Sequence, residues 1–237
     1  MVHSHNSTAH SLGAGLTLKK KKVLLIDLDP QSSLTFLTLE NTPTLSIKHI
    51  MVDQENINDV IIKTPYFDLI PSNLQLHLAD KQLSSKFAAE RTLNRALKKL
   101  KKDYDFILID CPPRLNIFTI NALYCSTEIL IPCETEILAL DGLELLIQTL
   151  DQIQEELEIK IKNTYVLPTK VDHRKKINKE VLEYLKNNFN VTDICIRTCS
   201  KLNLLGLDKN TIYELDSNCT ASKEYQKLVN EVIKWDY

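Results

Sequence analysis

Asp27 and Asp29 end the run Val23-Leu24-Leu25-Ile26-Asp27-Leu28-Asp29-Pro30-Gln31, and Asp110 ends Phe106-Ile107-Leu108-Ile109-Asp110-Cys111-Pro112-Pro113. In each, an apolar run of strand length stops on carboxylates and then on proline, which cannot continue a sheet ladder. Buried strands of this kind deliver their acids to the C-terminal end of a parallel sheet, where α/β proteins bind ligands. Carboxylates there can hold a divalent cation through water and orient an attacking water, so the two strands read as a Mg-nucleotide site.

The elements that must position these acids alternate along the chain. A helical segment around residues 7–18 leads through a Lys19–Lys22 turn into the strand 23–28. A loop and short helix at 47–51 precede a strand near 67–70 that ends on Pro71-Ser72-Asn73. Leu93, Ala96, Leu97 and Leu100 recur at helical spacing and feed the Asp110 strand. Next come a strand over 128–133, a helix striped by Leu143, Leu146, Ile147 and Leu150, and a strand over 165–168. A helix over 181–185, a strand over 194–197 and a C-terminal helix carrying Tyr225, Leu228, Val229, Val232 and Ile233 complete the series. This order predicts an α/β fold, a doubly wound, mostly parallel sheet with helices on both faces, in one domain spanning 1–237.

Composition sets outer bounds. The chain has 237 residues, 43% of them hydrophobic, enough for one sizeable core. No apolar run approaches the ~20 residues of a membrane span, and the His- and Ser-rich start is not a secretory signal, so a cytoplasmic protein is expected. The six cysteines lack CxxC spacing and several sit in apolar runs, which marks them as structural thiols rather than metal ligands. With a net charge of −2, binding to a polyanion would need a local basic patch.

These strings, in their order, resemble the ParA/Soj branch of the ParA–MinD family of P-loop ATPases, which partition plasmids and chromosomes. The resemblance is carried by 23–31 with Ser32-Ser33-Leu34-Thr35, by Tyr104-Asp105-Phe106 through Pro113, and by Thr119-Ile120-Asn121-Ala122-Leu123. It continues through Ile131-Pro132-Cys133-Glu134-Thr135-Glu136, Ala139-Leu140-Asp141-Gly142-Leu143, Pro168-Thr169-Lys170-Val171-Asp172-His173-Arg174 and Ile196-Arg197-Thr198. It covers the chain from about Ser7 onward.

The resemblance implies ATP and Mg as cofactors. Asp29 would help position the attacking water, Asp110 would hold Mg through its water shell, and Asp27 would support them. Pro168, Lys170 and Asp172 would fall on the loop facing the adenine; Asp172 also reads as an N-cap for a helix over 173–185. The family's ATP-bound homodimer binds DNA without sequence preference and answers to a ParB-like partner, on the nucleoid in the cytoplasm. Arg174, Lys175, Lys176, Lys179, Arg197 and Lys201 are the DNA candidates, and the cluster 174–179 reads equally as a solvated helix face. Thr198 stands where many relatives have a basic residue.

The start of the sequence departs from the family. Relatives place a strand and then a loop K-G-G-x-G-K-[ST], whose amides and lysine cradle phosphates. No lysine precedes Lys19 here. Gapless alignment puts Met1 and Val2 on the leading glycines, Ser4 on the last one, His5 on the lysine and Asn6 on the Mg-ligating hydroxyl, with Ser7 next. His5, Asn6 and Ser7 are therefore the phosphate-side candidates. The missing strand is internal in relatives, so a gap in the sheet is expected. Either a truncated product or a degenerate relative fits, and both imply impaired ATP use. The alternative function is an inactive relative kept as a protein-binding module. A MinD-like membrane-bound regulator would need a basic amphipathic C-terminal helix, whereas 222–237 balances acids and bases.

Overall fold

A run such as Val23-Leu24-Leu25-Ile26 has no face to give to water, and it lies inside a sheet with a strand on either side. The computed structural model describes residues 4–235, with side chains from Ser7 onward. These fall into two units: residues up to Cys125 together with Leu205–Thr211, and Ser126–Leu204 together with residues from Ile212 onward.

In chain order the first unit comprises α1 (Ser4–Leu18), β1 (Val23–Asp27), α2 (Ser33–Thr38), α3 (Ile47–Met51), α4 (Ile57–Val60) and β2 (Ile62–Lys63). It continues with β3 (Asp68–Ile70), α5 (Leu76–Ser84), α6 (Thr92–Leu97), β4 (Phe106–Asp110) and α7 (Ile117–Cys125). The sheet order is β2-β3-β1-β4. β1 pairs in parallel with β3 and β4, and β2 adds an antiparallel edge. Leu24, Ile26 and Leu28 pack with Ile47, Ile50, Met51, Leu76, Leu83, Leu93 and Phe118 in one core, each fully buried side chain contributing roughly 1.5–3 kcal/mol. Gly13 lets α1 lie close on β1: a Cβ there would stand 2.9 Å from Leu25 Cδ2. Buried Asn121 joins α7 to the first turn of α6 and to the segment before it, accepting from Leu93 N–H at 2.9 Å and donating to Ala89 O at 2.9 Å.

The second unit contains β5 (Glu128–Glu134), α8 (Ile137–Glu156), β6 (Asn163–Thr169), α9 (Lys176–Asn188), α10 (Ile212–Leu215) and α11 (Thr220–Val232). β5 and β6 pair in parallel along their whole length. Lys162 N–H donates to Thr127 O and Thr135 N–H to Thr169 O, so the odd-numbered residues of β5 turn their backbone to β6. Pro132 points the other way and costs the ladder nothing.

The expected α/β fold of mostly parallel strands with helices is borne out, and among the described residues its strands pair in two sheets. β4 pairs only with β1 and β5 only with β6 among them, and the element before β1 is a helix. The strand expected over 194–197 is corrected. That stretch is irregular, held by the single bridges Val166↔Val191 and Val171↔Arg197, because Thr192 Oγ1 donates to Ile194 O at 2.7 Å and bends the chain between them. α6 stops at Leu97, short of Leu100. Short α2, α4, α5 and α10 escape periodicity because four to nine residues span too few turns to show a stripe. No helix among the described residues is long and apolar enough to cross a membrane.

Candidate functional site

Parallel pairing with β1 and β4 in register brings Asp27 opposite Asp110. Both lie at the C-terminal strand ends, where Leu28 N–H donates to Asp110 O at 2.8 Å. Asp27, Asp29 and Asp110 are all buried, and none of them is in an ion pair among the described residues.

The Asp27 carboxylate organises the turn that follows it. Its Oδ1 accepts from Asp29 N–H at 3.0 Å, and its Oδ2 accepts from Thr35 N–H at 2.9 Å and Thr35 Oγ1 at 2.7 Å. Asp29 Oδ1 in turn accepts from Gln31 N–H at 2.9 Å, and Ser32, at φ 52°, swings the chain into α2. Thr35 Oγ1 also accepts from Ser72 N–H at 2.8 Å, tying the end of β3 to the same carboxylate. Burial pushes Asp27 up to about 6 against the pull of the Thr35 hydrogen bonds. Asp110 goes well above the usual carboxylate range, first through burial and then through the charges of Asp27 and Asp29. Its Oδ2 is buried with no hydrogen-bond partner among the described residues.

An orphaned carboxylate oxygen among like charges is what a cation would satisfy, so Asp110 fits the metal side of a Mg-nucleotide site. No three His, Cys, Asp or Glu side chains converge to hold a metal by themselves among the described residues, and Mg²⁺ held mainly through water needs no such cluster. The phosphate side is different. The lysine- and glycine-bearing loop is not written in this sequence. Residues 5–7 lie in α1 rather than in a loop. The side chains of His5 and Asn6 are outside the described residues, as are Met1 and Val2, and Ser7 is buried.

In the second unit, Pro168 lies in β6 and its carbonyl accepts from Ile196 N–H at 2.8 Å. Lys170 follows at φ 53°, with Nζ 2.6 Å from Glu134. Asp172 is not a helix cap: the N-cap of α9 is Lys175. Its carboxylate instead closes on Arg174, accepting from Arg174 N–H at 3.1 Å, Nε at 2.9 Å and Nη2 at 2.8 Å. Those hydrogen bonds hold Asp172 well below the usual carboxylate range. Buried Asn178 ties the loop down, accepting from Asp172 N–H at 2.7 Å and donating to Thr135 O at 2.6 Å.

Of the DNA candidates, Arg174 is engaged by Asp172, Lys176 pairs with Glu180 at 3.5 Å, and Arg197 grips the buried Glu224 through its backbone N–H at 2.8 Å and its Nε. Lys175 and Lys179 are exposed and Lys201 is partly so. Sequence reasoning missed the supporting residues Thr35, Ser72, Asn121 and Asn178. Only Thr35, eight residues after Asp27 at the start of a short helix, left a local signal.

The comparisons with known proteins agree with this geometry. Residues 4–163 match the family model described as "AAA domain". The chain is 34% identical over 234 residues to the chromosome-partitioning ATPase Soj of Treponema pallidum, covering 97% of this chain and 92% of that protein. It is similar in structure to cobyrinic acid a,c-diamide synthase from Mycobacterium smegmatis with bound ATP analogue and magnesium, at TM-score 0.82 and 26% identity, over 99% of this chain and 91% of that one. It is likewise similar to a plasmid partition protein from Borrelia burgdorferi bound to AMPPNP, at TM-score 0.78 and 27% identity, over 98% and 93% of the two chains.

Proposed function

From the premise that this chain belongs to the ParA/Soj branch of the ParA–MinD ATPases, we propose that it works in DNA partitioning as a Mg-ATP-responsive, DNA-binding protein. The observation that carries this reading is the buried trio Asp27, Asp29 and Asp110, with an oxygen on Asp110 that has no partner among the described residues. Buried carboxylates are costly to keep in a fold that makes no use of them.

In this reading residues 1–237 are one nucleotide-binding domain. Asp110 holds Mg²⁺ through water, and the cation supplies charge to neutralise phosphate oxygens. Asp29, fixed by Asp27 and Gln31, orients water. Pro168, Lys170 and Asp172 offer backbone groups to the adenine, with His5, Asn6 and Ser7 as the phosphate-side residues. DNA contact falls to Lys175, Lys176, Lys179 and Lys201, with Arg174 and Arg197 joining only by leaving their carboxylates. Assembly as an ATP-bound homodimer on the nucleoid, in the cytoplasm, and stimulation by a ParB-like protein complete the proposal.

Calorimetry of Mg-ATP on the purified chain, with a circular-dichroism melt of the same sample, is the test. A folded chain that does not bind would overturn the nucleotide part of the reading. Micromolar binding to a folded chain is the expected result. The second reading, a protein-binding module without nucleotide chemistry, predicts a folded chain with no nucleotide response. It parts from the first in predicting no salt-dependent DNA binding.

A further inference from the structure

The six-residue helix α2, which follows the Asp29 turn, is too short to hold its place through its own ladder. Only Leu34 and Thr35 of it are buried. Its first half is fixed by Asp27, whose Oδ2 accepts from Thr35 N–H and Oγ1. Its second half is held from 173 residues further along the chain.

Leu205–Thr211 belongs to the first unit, and it meets α2 at two points. The helical ladder ends with Leu39 N–H on Thr35 O at 2.8 Å, and the next carbonyl, Phe36 O, accepts from Lys209 Nζ at 2.6 Å. The same ammonium lies 3.9 Å from the Phe36 ring centroid. A cation there meets both the negative end of the helix dipole and the negative face of the ring. Lys209 is in no ion pair among the described residues, so its charge is committed to Phe36. Gly206 makes the second point of contact: it is buried at φ 91°, and a Cβ on it would stand 2.9 Å from Leu37 Cδ2. Lys209 itself sits at φ 58°, a left-handed conformation that a residue with a Cβ adopts at a cost. Such strain persists where the surrounding structure fixes it, and here the contacts with α2 do so.

We propose that Lys209 is a positioning residue for the Asp29 turn, acting through α2: Lys209 holds Phe36, the adjacent Thr35 holds Asp27, and Asp27 holds Asp29. The inference rests on the reading in which Asp29 orients water. Its last link is the Asp29 N–H, which donates to Asp27 Oδ1 at 3.0 Å. Thr35 Oγ1 also accepts from Ser72 N–H at 2.8 Å, so the end of β3 is tied to the same helix. Release of Phe36 therefore loosens three amides, those of Asp29, Thr35 and Ser72. It leaves alone the pairing of β1 with β4, which runs from Val23 to Asp27 through their own backbones.

Amide hydrogen exchange, read by NMR on the full nitrogen-15-labelled chain, is the test. Lys209→Met keeps the aliphatic stem and removes the ammonium. It should speed exchange at the Asp29, Thr35 and Ser72 amides by at least about tenfold, the loss of one charge-assisted hydrogen bond, and leave the paired amides of β1 and β4 within about twofold of the parent. Lys209→Arg keeps a cation at Phe36 O and should return the three amides to within about threefold of the parent. Gly206→Ala leaves the ammonium intact and drives the segment off Leu37, so it should loosen the same three. Unchanged exchange at these amides in Lys209→Met would overturn the proposal, because α2 would then hold itself. A rise shared equally by β1, β4 and α7, or an Arg variant as loose as Met, would overturn it too, since Lys209 would then contribute only to global stability. Mg-ATP separates this inference from the nucleotide reading. It should slow exchange of the Asp29 amide in the parent; a parent that does not respond, with Lys209→Met still selectively loose, would sink the nucleotide reading and leave the positioning by Lys209 standing.

Discussion

Asp27 and Asp110 are register partners at the C-terminal ends of adjacent parallel strands, and burial drives both carboxyl groups upward, Asp27 to about 6 and Asp110 well above the usual range. The two differ in support. Asp27 accepts three hydrogen bonds, from Asp29 and Thr35, whereas Asp110 Oδ2 has no partner among the described residues. An acid that the fold buries and does not satisfy is the part of this site most exposed to experiment.

Asp110→Asn removes that charge while keeping the shape. Above pH 7 the variant should be more stable than the parent by about 1–2 kcal/mol, raising Tm by roughly 3–6 °C in a chain of this size. A thermal melt at pH 8 measures it; an unchanged or lower Tm would mean that the orphan oxygen is satisfied in solution.

The acid range carries a second signature. A carboxyl group raised from 3.8 to about 6 in the folded state binds its proton more tightly there than in the unfolded chain. Its contribution is therefore favourable at low pH and is lost as pH rises from about 4 through about 6, a change on the order of 3 kcal/mol for Asp27 alone. Asp110 extends the loss to higher pH. Carbon-13 NMR of labelled aspartate should find a buried carboxyl titrating near 6; a chain in which every aspartate titrates below 4.5 would contradict the burial assigned to Asp27.

Millimolar Mg²⁺ should raise the melting temperature of the parent at pH 8 and leave Asp110→Asn unmoved. Chelation should restore the parent's original value. Equal shifts in both proteins would place the cation elsewhere.

Thr35→Val deletes a hydroxyl that donates to Asp27 Oδ2 and accepts from Ser72 N–H. Urea denaturation should record a loss of about 2–4 kcal/mol, since a buried carboxylate and a buried amide both lose partners. Thr35→Ser should recover most of it. If both variants lose the same amount, packing of the Thr35 methyl rather than hydrogen bonding is what matters.

Gly13→Val tests the contact between α1 and β1. Its Cβ would enter at 2.9 Å from the fully buried Leu25 Cδ2, so a loss of at least about 2 kcal/mol is expected from overpacking together with the added β-branched methyls. A neutral result would mean that α1 can move off the strand.

Much of this molecule was legible in its residues. The acid-tipped runs at 23–29 and 106–110 identified the strands, their parallel pairing and the end where the acids gather, because an apolar run of strand length has few ways to hide from water and a proline after it has few ways to continue. Periodicity likewise located α8, α9 and α11, which are long enough to carry a stripe. Ser72 and Asn178 were not legible, since each acts on partners 6 to 43 residues away through hydrogen bonds that no local pattern encodes. Tertiary structure alone also decided that Asp172 closes on Arg174 rather than capping α9 and that 194–197 bridges without becoming a strand. Local propensity records what a segment can do next to its neighbours. Which carboxylate is satisfied and which is left bare depends on what the rest of the chain brings beside it.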